Sequence, residues 1–559
     1  MTHAVQVDLV IVGSGISGMT AALAAHSRGL TPLVVEKYGR LGGTSAWSGG
    51  VLWIPNNPVM LEAGATDSVE DALLYLDSVV GDQGPATSPA RKRAFVEQGP
   101  RMIEFLRGLG VPFLYNDGFP DYYPSLPGGH TRGRSLNTAI LDLADLGDWN
   151  ERLRRMKGSG LKVDLLMARY GEAPDMTRMM TTLAGARMAA RVVSRTAWAR
   201  LTRREKAAMG LSLMGQLLLV ARKQGIEFWT DSPLVELIVE DGAALGVLVE
   251  RDGARVEIRG RAGVVLTAGG FAHNEAMRKQ YGRQPASTDW TSTPPEDTGD
   301  AIQLGIEAGA ATALMDEAVW TPASLLPDGT PVPSLWERAL PHSIIVDGTG
   351  ARFCNEAASY MECGQAQYER GEAGSAFPSW LIIDSWHRRR YPFGGAPPGR
   401  TPQDWLTSGY MRKADTIEEL ARVCDIDSAG LVATVERFNR MAASGVDEDF
   451  HRGETAYDRE FGQPGHKPNE CLGPLDKPPF YAVASYPGDV GTVGGLLTDE
   501  HSRVLREDGS VIEGLYAAGA NSATVMGRVY PGAGATLGPG AVFGYIAGLH
   551  ASAPAGEPG

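Results

Sequence analysis

Cysteine is scarce: Cys354, Cys363, Cys424 and Cys471 are the only four in 559 residues, and no two stand in Cys-x-x-Cys spacing. That excludes a disulfide framework and points to a reduced, cytoplasmic setting with buried or incidental thiols. Positive charge is short as well. Lys and Arg number 52 against 66 Asp and Glu, a net charge of −14, which argues against a general nucleic-acid binder. No stretch reaches the roughly 18 clean apolar residues of a bilayer span. The N-terminal residues lack a basic segment followed by an apolar core, so secretion is not expected. Ten histidines include no pair at ligand spacing, and no metal is expected. Gly-x-Ser-x-Gly is missing too, and with it the nucleophile elbow of the serine hydrolases. Glycine, by contrast, is abundant at 70 residues, as suits a backbone that must approach a large ligand. The length exceeds one core and predicts two domains.

The first glycines sit in a telling place. An apolar run, residues 9–12, reads as a buried parallel strand and leads into Gly13-Ser14-Gly15-Ile16-Ser17-Gly18. Residues 17–28 read as an Ala-rich helix stopped by Gly29, and a second strand ends on Glu36. Gly13 permits the tight turn, Gly15 lets backbone approach a pyrophosphate, and Gly18 lets helix and strand pack closely. Glu36, with Lys37 next in the chain, can accept from a ribose hydroxyl. Strand, turn, helix, strand and acid together predict a dinucleotide site.

Beyond Lys37 the chain departs from an NAD domain, which would continue into another βα unit. Gly42, Gly43, Thr44 and Ser45, then Ser48, Gly49 and Gly50, form a glycine- and hydroxyl-rich segment. Such a segment suits a longer ligand, whose diphosphate and flavin-side groups need further backbone donors. Residues 264–271 read as a buried strand ending in small residues, Ala268 and Gly269 among them, after a hairpin across 234–260. A similar strand, 514–519, ends at Gly519. A final helix then starts around Leu537 and Gly538, with Pro539 suited to its first turn. Its N-terminus suits the electron-rich edge of a reduced flavin.

This set resembles the FAD-binding superfamily of fumarate reductases and 3-ketosteroid dehydrogenases. Arg352-Phe353-Cys354-Asn355-Glu356 matches that superfamily's Arg-Phe-x-Asn-Glu element. Four residues after the glutamate the fumarate reductases carry an arginine proton donor. Here Tyr360 stands in its place, as in the 3-ketosteroid Δ1-dehydrogenases. Phe119-Pro120-Asp121-Tyr122 and Val529-Tyr530-Pro531-Gly532-Ala533-Gly534 are similar to two further elements of that group.

The resemblance implies FAD as cofactor and 1,2-desaturation of a 3-ketosteroid, within steroid degradation. Removing hydrogen from two carbons beside a ketone needs a proton acceptor, a hydride acceptor and donors aimed at the carbonyl oxygen. By resemblance, the Tyr530 hydroxyl and Gly534 N–H hold the 3-keto oxygen. Tyr360, as tyrosinate, takes the C2 proton, while Tyr122 favours its charged form and Phe119 forms pocket wall. Ordinary tyrosine ionises near pH 10, so activity is expected to rise into the alkaline range. An unidentified acceptor, a quinone or an artificial dye, takes the electrons onward. Desaturation at C4–C5, a fumarate-type reduction and a non-catalytic flavin protein are the competing readings.

The expected architecture is α/β: a Rossmann-like FAD-binding domain built from both chain ends, with an inserted α+β catalytic cap. Its segments are 1–310, 311–488 for the cap, and 489–559. A basic insertion at about 160–210 stands apart, with seven arginines (178, 187, 191, 195, 200, 203, 204) and no acid over 176–204. Met176, Met179, Leu183, Ala186, Ala190, Val193 and Ala197 follow helical spacing, with Arg187, Arg191 and Arg195 as a ridge beside them. A helix of this type either lies on anionic lipid, here at the cytoplasmic face of a membrane, or packs on its own acidic protein.

Overall fold

Leu9–Val12, buried on both faces, is a central strand of a six-stranded sheet. The structure, a computed structural model, describes residues 5–155, 167–372 and 377–553. Residues 160–166 of the basic insertion fall outside them. The strand order is Arg503–Leu505, Val511–Ala517, Val264–Leu266, Leu9–Val12, Pro32–Val35, Glu227–Trp229, parallel except for the first. Val264 pairs with both Val10 and Leu515, so distant parts of the chain meet across one short strand. Alternate side chains serve different layers, as a strand's period of two requires. Leu9 and Ile11 join the core shared with the helices, whereas Val10 and Val12 join the core of a second sheet.

That second sheet corrects the expected single hairpin. It is a meander of Leu234–Glu240, Ala243–Arg251 and Ala254–Gly260, extended in parallel by Val5–Val7. The cause is local: Asp241-Gly242 and Asp252-Gly253 all have positive φ, the requirement of a two-residue hairpin turn. On the other face, Ile16–Ser27 and Leu537–His550 pack against each other. A side chain at Gly544 would strike the Ser17 carbonyl, so glycine sets their close approach.

The cap sheet is antiparallel, in the order Pro331–Pro333, Ala318–Leu325, Phe480–Thr492, Ser379–Ile383, Ser343–Val346. Met411–Ala414 also pairs with Phe480–Thr492. The pairing of Ala318 with Thr492 carries this sheet past residue 488. The helix Tyr360–Glu372 lies on Ala318–Leu325, where a Cβ at Gly364 would come within 2.5 Å of the Trp320 Cβ. Tyr360 thereby stands at a helix start, facing the cofactor half of the molecule.

The basic segment is two helices, Ala173–Thr177 and Leu183–Leu201, rather than one continuous helix over 176–204. Thr182 caps the second by accepting from Gly185 N–H at 3.0 Å. Met176 therefore lies on the shorter helix and Met179 in the turn. Among the described residues no helix is long and apolar enough to cross a membrane.

Candidate active site

A cavity of about 620 Å³ runs from the end of strand Leu9–Val12 to the start of helix Tyr360–Glu372. At its first end Gly13, with φ 102°, turns the chain beneath the Thr267 carbonyl, which a side chain here would strike. Gly15 caps the helix Ile16–Ser27 without a side-chain hydrogen bond, leaving a helix N-terminus on the cavity. The Ile16 N–H donates to Ser45 Oγ at 3.1 Å. Glu36 Oε2 accepts from the Ser14 N–H and hydroxyl at 3.1 and 2.6 Å, and Oε1 from Tyr38 N–H at 3.0 Å. The carboxylate is fixed, yet has lone pairs left for a ribose hydroxyl. Lys37 is held by Asp300 at 2.8 Å and Thr298 at 2.6 Å. At the other end Leu537 and Gly540 bring the last helix's N-terminus to the wall. Helix amides for a diphosphate, a fixed carboxylate for a ribose and a second helix end for a flavin edge together fit FAD.

Tyr360, Tyr530 and Gly534 share the wall at this second end. The Tyr360 and Tyr530 rings are 5.2 Å apart between centroids. Tyr122 stands one layer back, 5.8 Å from Tyr360 and 5.6 Å from Tyr530, with Tyr457 4.3 Å from it on the far side. Gly534 has φ 96°, and a side chain there would meet the Val51 carbonyl at 2.5 Å. Its own carbonyl accepts from Trp53 N–H at 3.2 Å and Gly538 N–H at 2.8 Å, which fixes the peptide around it. Burial pushes the Tyr360 hydroxyl well above the ordinary tyrosine range, and nearby Tyr530 and Tyr170 add to this. The hydrogen bond with Tyr122 acts in the opposite direction. Tyr122 is itself pushed well up, first by burial.

Two buried clamps hold Tyr122 against the Tyr530 loop. Arg134 pairs with Asp121 at 2.5 Å and with Asp67 at 2.8 Å, all three side chains fully enclosed. Asp121 also accepts from Trp53 Nε1–H at 2.8 Å. The second clamp is Tyr75, whose hydroxyl donates to the Pro531 carbonyl at 2.7 Å and accepts from Tyr123 N–H at 3.2 Å. Tyr122 N–H donates to the same Pro531 carbonyl at 2.9 Å. Breaking a buried pair such as Arg134–Asp121 costs about 3–5 kcal/mol, so this geometry is stiff.

Of the residues singled out by sequence, Gly13, Ser14, Gly15, Ser17, Glu36, Lys37, Gly43, Thr44, Ser45, Ser48, Gly49, Gly50, Ala268, Gly269, Gly519 and Leu537 line the cavity with Tyr360, Tyr530 and Gly534. Gly18, Gly42 and Gly538 lie behind the wall, where a side chain would strike the Gly13 carbonyl, approach Ala46 Cβ, or strike the Trp53 carbonyl. Phe119, expected as pocket wall, packs instead on Tyr170 and Phe461 at 5.6 and 5.7 Å between ring centroids. Tyr170 takes the wall position. Nothing in its neighbours, Leu165-Leu166-Met167-Ala168-Arg169 before it and Gly171-Glu172 after it, marked it in the sequence. Tyr457 was equally hidden, and so was Arg154, which stacks on Tyr38 at 4.2 Å and pairs with Glu296.

Residues 8–537 match the FAD binding domain family. The chain is 43% identical over 564 aligned residues to the 3-oxosteroid 1-dehydrogenase of Mycobacterium tuberculosis (strain ATCC 25618 / H37Rv), covering 98% of this chain and 99% of that one. It is 36% identical to the 4-oxocyclohexanecarboxylate 2-dehydrogenase of Sinomonas cyclohexanicum, covering 97% and 92%. It superposes with a TM-score of 0.91 on the 3-ketosteroid delta1-dehydrogenase from Sterolibacterium denitrificans in complex with 1,4-androstadiene-3,17-dione. That match has 39% identity and covers 98% of this chain and 99% of the other. With a dinucleotide cradle at one end of the cavity and paired tyrosines at the other, the chain belongs to the 3-oxosteroid 1-dehydrogenase family of FAD-binding proteins.

Proposed function

We propose that this chain converts 3-oxo-Δ4-steroids to 3-oxo-Δ1,4-steroids. The observation that carries the reading is the convergence of Tyr360, Tyr530 and Gly534 on one end of the cavity, with the Tyr122 ring 5.8 Å behind that of Tyr360. The Tyr530 hydroxyl and Gly534 N–H hold the 3-keto oxygen and stabilise it as it gains enolate character. That makes the C2 proton acidic, and the Tyr360 oxygen, as tyrosinate, takes it. Tyr122 donates to that oxygen while it is charged. When bound, FAD supplies the acceptor for the hydride that leaves C1. The electrons then pass to a quinone-class acceptor, which an artificial dye replaces in vitro.

The charge lining the cavity favours a steroid over two alternatives. Among the described wall residues the Lys and Arg side chains are Lys37, held by Asp300, and Arg154, held by Glu296. Both belong to the Glu36 neighbourhood. The wall also includes Val51, Val319, Leu335 and Val490 and, among the described residues, no further Lys or Arg, which suits a fused hydrocarbon ring system and gives no free cation for a fumarate or a ring carboxylate. The partition 1–310, 311–488 and 489–559 belongs to the same proposal, with the end of the cap placed at Thr492 because Phe480–Thr492 is one strand of the cap sheet. A cytoplasmic setting, in keeping with four free buried cysteines, belongs to it too.

The test is anaerobic bleaching of the flavin by a panel of 3-ketosteroids, with each product identified by mass and NMR. Bleaching with a C1–C2 double bond is expected. A C4–C5 double bond made from a saturated ketone, or bleaching by a cyclohexanone acid alone, would overturn the assignment.

A further inference from the structure

The base and the ketone-binding tyrosine are carried by distant parts of the chain. Tyr360 opens the helix Tyr360–Glu372 of the cap, and Tyr530 lies on the loop before the last helix, Leu537–His550. Their ring centroids are nevertheless 5.2 Å apart, a spacing that no single element sets. Two residues before Tyr530, Arg528 is held from several directions. Its guanidinium donates to Asp316 at 2.7 and 2.9 Å, and its backbone N–H donates to Gln83 Oε1 at 2.8 Å. Its carbonyl accepts from Gln365 Nε2 at 2.9 Å. Gln365 belongs to the helix that Tyr360 opens.

The same Gln365 nitrogen donates to Glu317 Oε2 at 3.1 Å. Both neighbours are acceptors, so the amide nitrogen with its two N–H groups must face them. The Glu317 side chain is fully enclosed. It also accepts from Trp320 Nε1–H at 3.1 Å, and it pairs with Arg283 at 2.5 Å and Arg528 at 3.4 Å. Trp320 is part of the strand Ala318–Leu325, on which the helix rests. Cap strand, cap helix and Tyr530 loop therefore meet at one carboxylate, and Gln365 closes the joint. Gln367 on the same helix offers a contrast. Its amide donates to the Ser379 and Ser485 hydroxyls at 2.7 and 3.1 Å, both on cap strands. One glutamine ties the helix to its own sheet, the other to the loop that carries Tyr530.

We propose that Gln365 is a positioning residue, setting the spacing of Tyr360 and Tyr530 by bonding the Arg528 carbonyl. It stands behind the residues that line the cavity rather than among them. The proposal rests on the desaturation reading, in which Tyr530 holds the 3-keto oxygen while Tyr360 takes a proton from the adjoining carbon. Those two atoms belong to one rigid ring, so the two hydroxyls must be set at a matching distance before the steroid arrives. A misplacement of about 1 Å costs roughly 10²-fold in rate. An amide between two fixed acceptors suits that task, because it does not titrate and because its loss leaves buried acceptors unpaired.

A double-mutant cycle on the intact flavoprotein tests it. Stopped-flow flavin reduction by androst-4-ene-3,17-dione gives the rate, and steroid titration of the oxidised flavin spectrum gives the affinity. Gln365→Met keeps the length of the side chain and removes its donors. It should slow reduction about 10- to 100-fold, with flavin content kept and affinity little changed. In a Tyr530→Phe background the same substitution should cost less by at least about threefold, because the hydroxyl it positions is gone. Gln367→Met should instead multiply with Tyr530→Phe, as sites without a shared partner do. Losses from Gln365→Met and Tyr530→Phe that multiply, a loss in affinity alone, or equal coupling from Gln367→Met would each overturn the proposal. Should Gln365→Met fail to hold flavin, Gln365→Glu, which sets a second carboxylate against Glu317, is read in the same cycle with the same outcomes. A wild type whose reduction yields no C1–C2 double bond sinks the steroid reading and not the joint. Amide hydrogen exchange then decides: exchange over residues 528–534 that quickens in Gln365→Met supports the joint, and unchanged exchange overturns it.

Discussion

Tyr122→Phe removes one hydroxyl from a ring that is buried and clamped on two sides, so the packing of Tyr360 and Tyr530 is retained. What changes is the environment of the Tyr360 oxygen. Burial, then Tyr530 and Tyr170, hold that hydroxyl in its neutral form, and the hydrogen bond from Tyr122 opposes them. A hydrogen bond to a charged group contributes roughly 1.5–3 kcal/mol, and about 1.36 kcal/mol is tenfold in a protonation equilibrium. The tyrosinate population at a fixed pH should fall roughly 10- to 100-fold in the variant. The tyrosinate that remains is a stronger base, which offsets part of the loss.

Wild-type reduction speeds up as pH rises and Tyr360 loses its proton. In the variant the same inflection lies at higher pH, and the rates converge at the alkaline end. Stopped-flow reduction of the flavin by androst-4-ene-3,17-dione across the pH range reads this without interference from the reoxidation step. An equal loss at every pH would make Tyr122 a packing residue. An inflection that stays put, or moves down, would refute the hydrogen-bond argument.

Tyr360→Phe should keep flavin and fold while reduction falls by about 10²–10⁴-fold; a loss below about tenfold in the same stopped-flow assay counts against Tyr360 as the base. Tyr530→Phe should slow reduction by about 10²–10³-fold with a smaller change in affinity, measured by steroid titration of the oxidised flavin spectrum. If affinity alone changed, Tyr530 would position the ketone without stabilising its enolate. Acid should destabilise the fold through two buried imidazoles: burial lowers His342 from 6.5 to about 4 and His387 to about 3. The unfolded chain takes up these protons below pH 6.5, so their stability contribution is full above 6.5 and is lost as pH falls through about 4 and then about 3. Urea midpoints should decline over that window, more gently in His387→Asn, and a variant slope equal to wild type would rule His387 out as a source.

The cradle was legible because its requirements are local. Gly13, Gly15 and Glu36 occupy fixed offsets along one strand–turn–helix–strand unit, and the folded chain brings them to a single wall. The tyrosines were found through short elements whose neighbours are informative, Asn355-Glu356 before Tyr360 and Pro531 to Gly534 after Tyr530. Tyr170 and Tyr457 have no such neighbours; only the folded chain brings them to Phe119 and Tyr122. Periodicity found the stripe from Leu183 to Ala197 yet not its direction, since a 3.6-residue pattern says which side chains align and nothing about where the protein lies. Arg195 escaped the pattern for a related reason: its partner, Glu172, sits on another element.

The strand Val264–Leu266 has neighbours from opposite parts of the polypeptide, Leu9–Val12 and Val511–Ala517. During synthesis the first neighbour is available early, while the second emerges only after the entire cap sequence has been made. The glycine turn at 13–18 must therefore wait, half assembled, for the helix Leu537–His550 that closes the other end of its cavity. Loop-closure entropy grows only as the logarithm of length, so the delay is a matter of timing rather than of equilibrium stability. The cap sheet, complete by Thr492, has no such dependence on the last strand. A chain truncated before Val511 would carry Tyr122 and Tyr360 but neither the strand Val511–Ala517 nor the helix Leu537–His550 that completes the cavity wall.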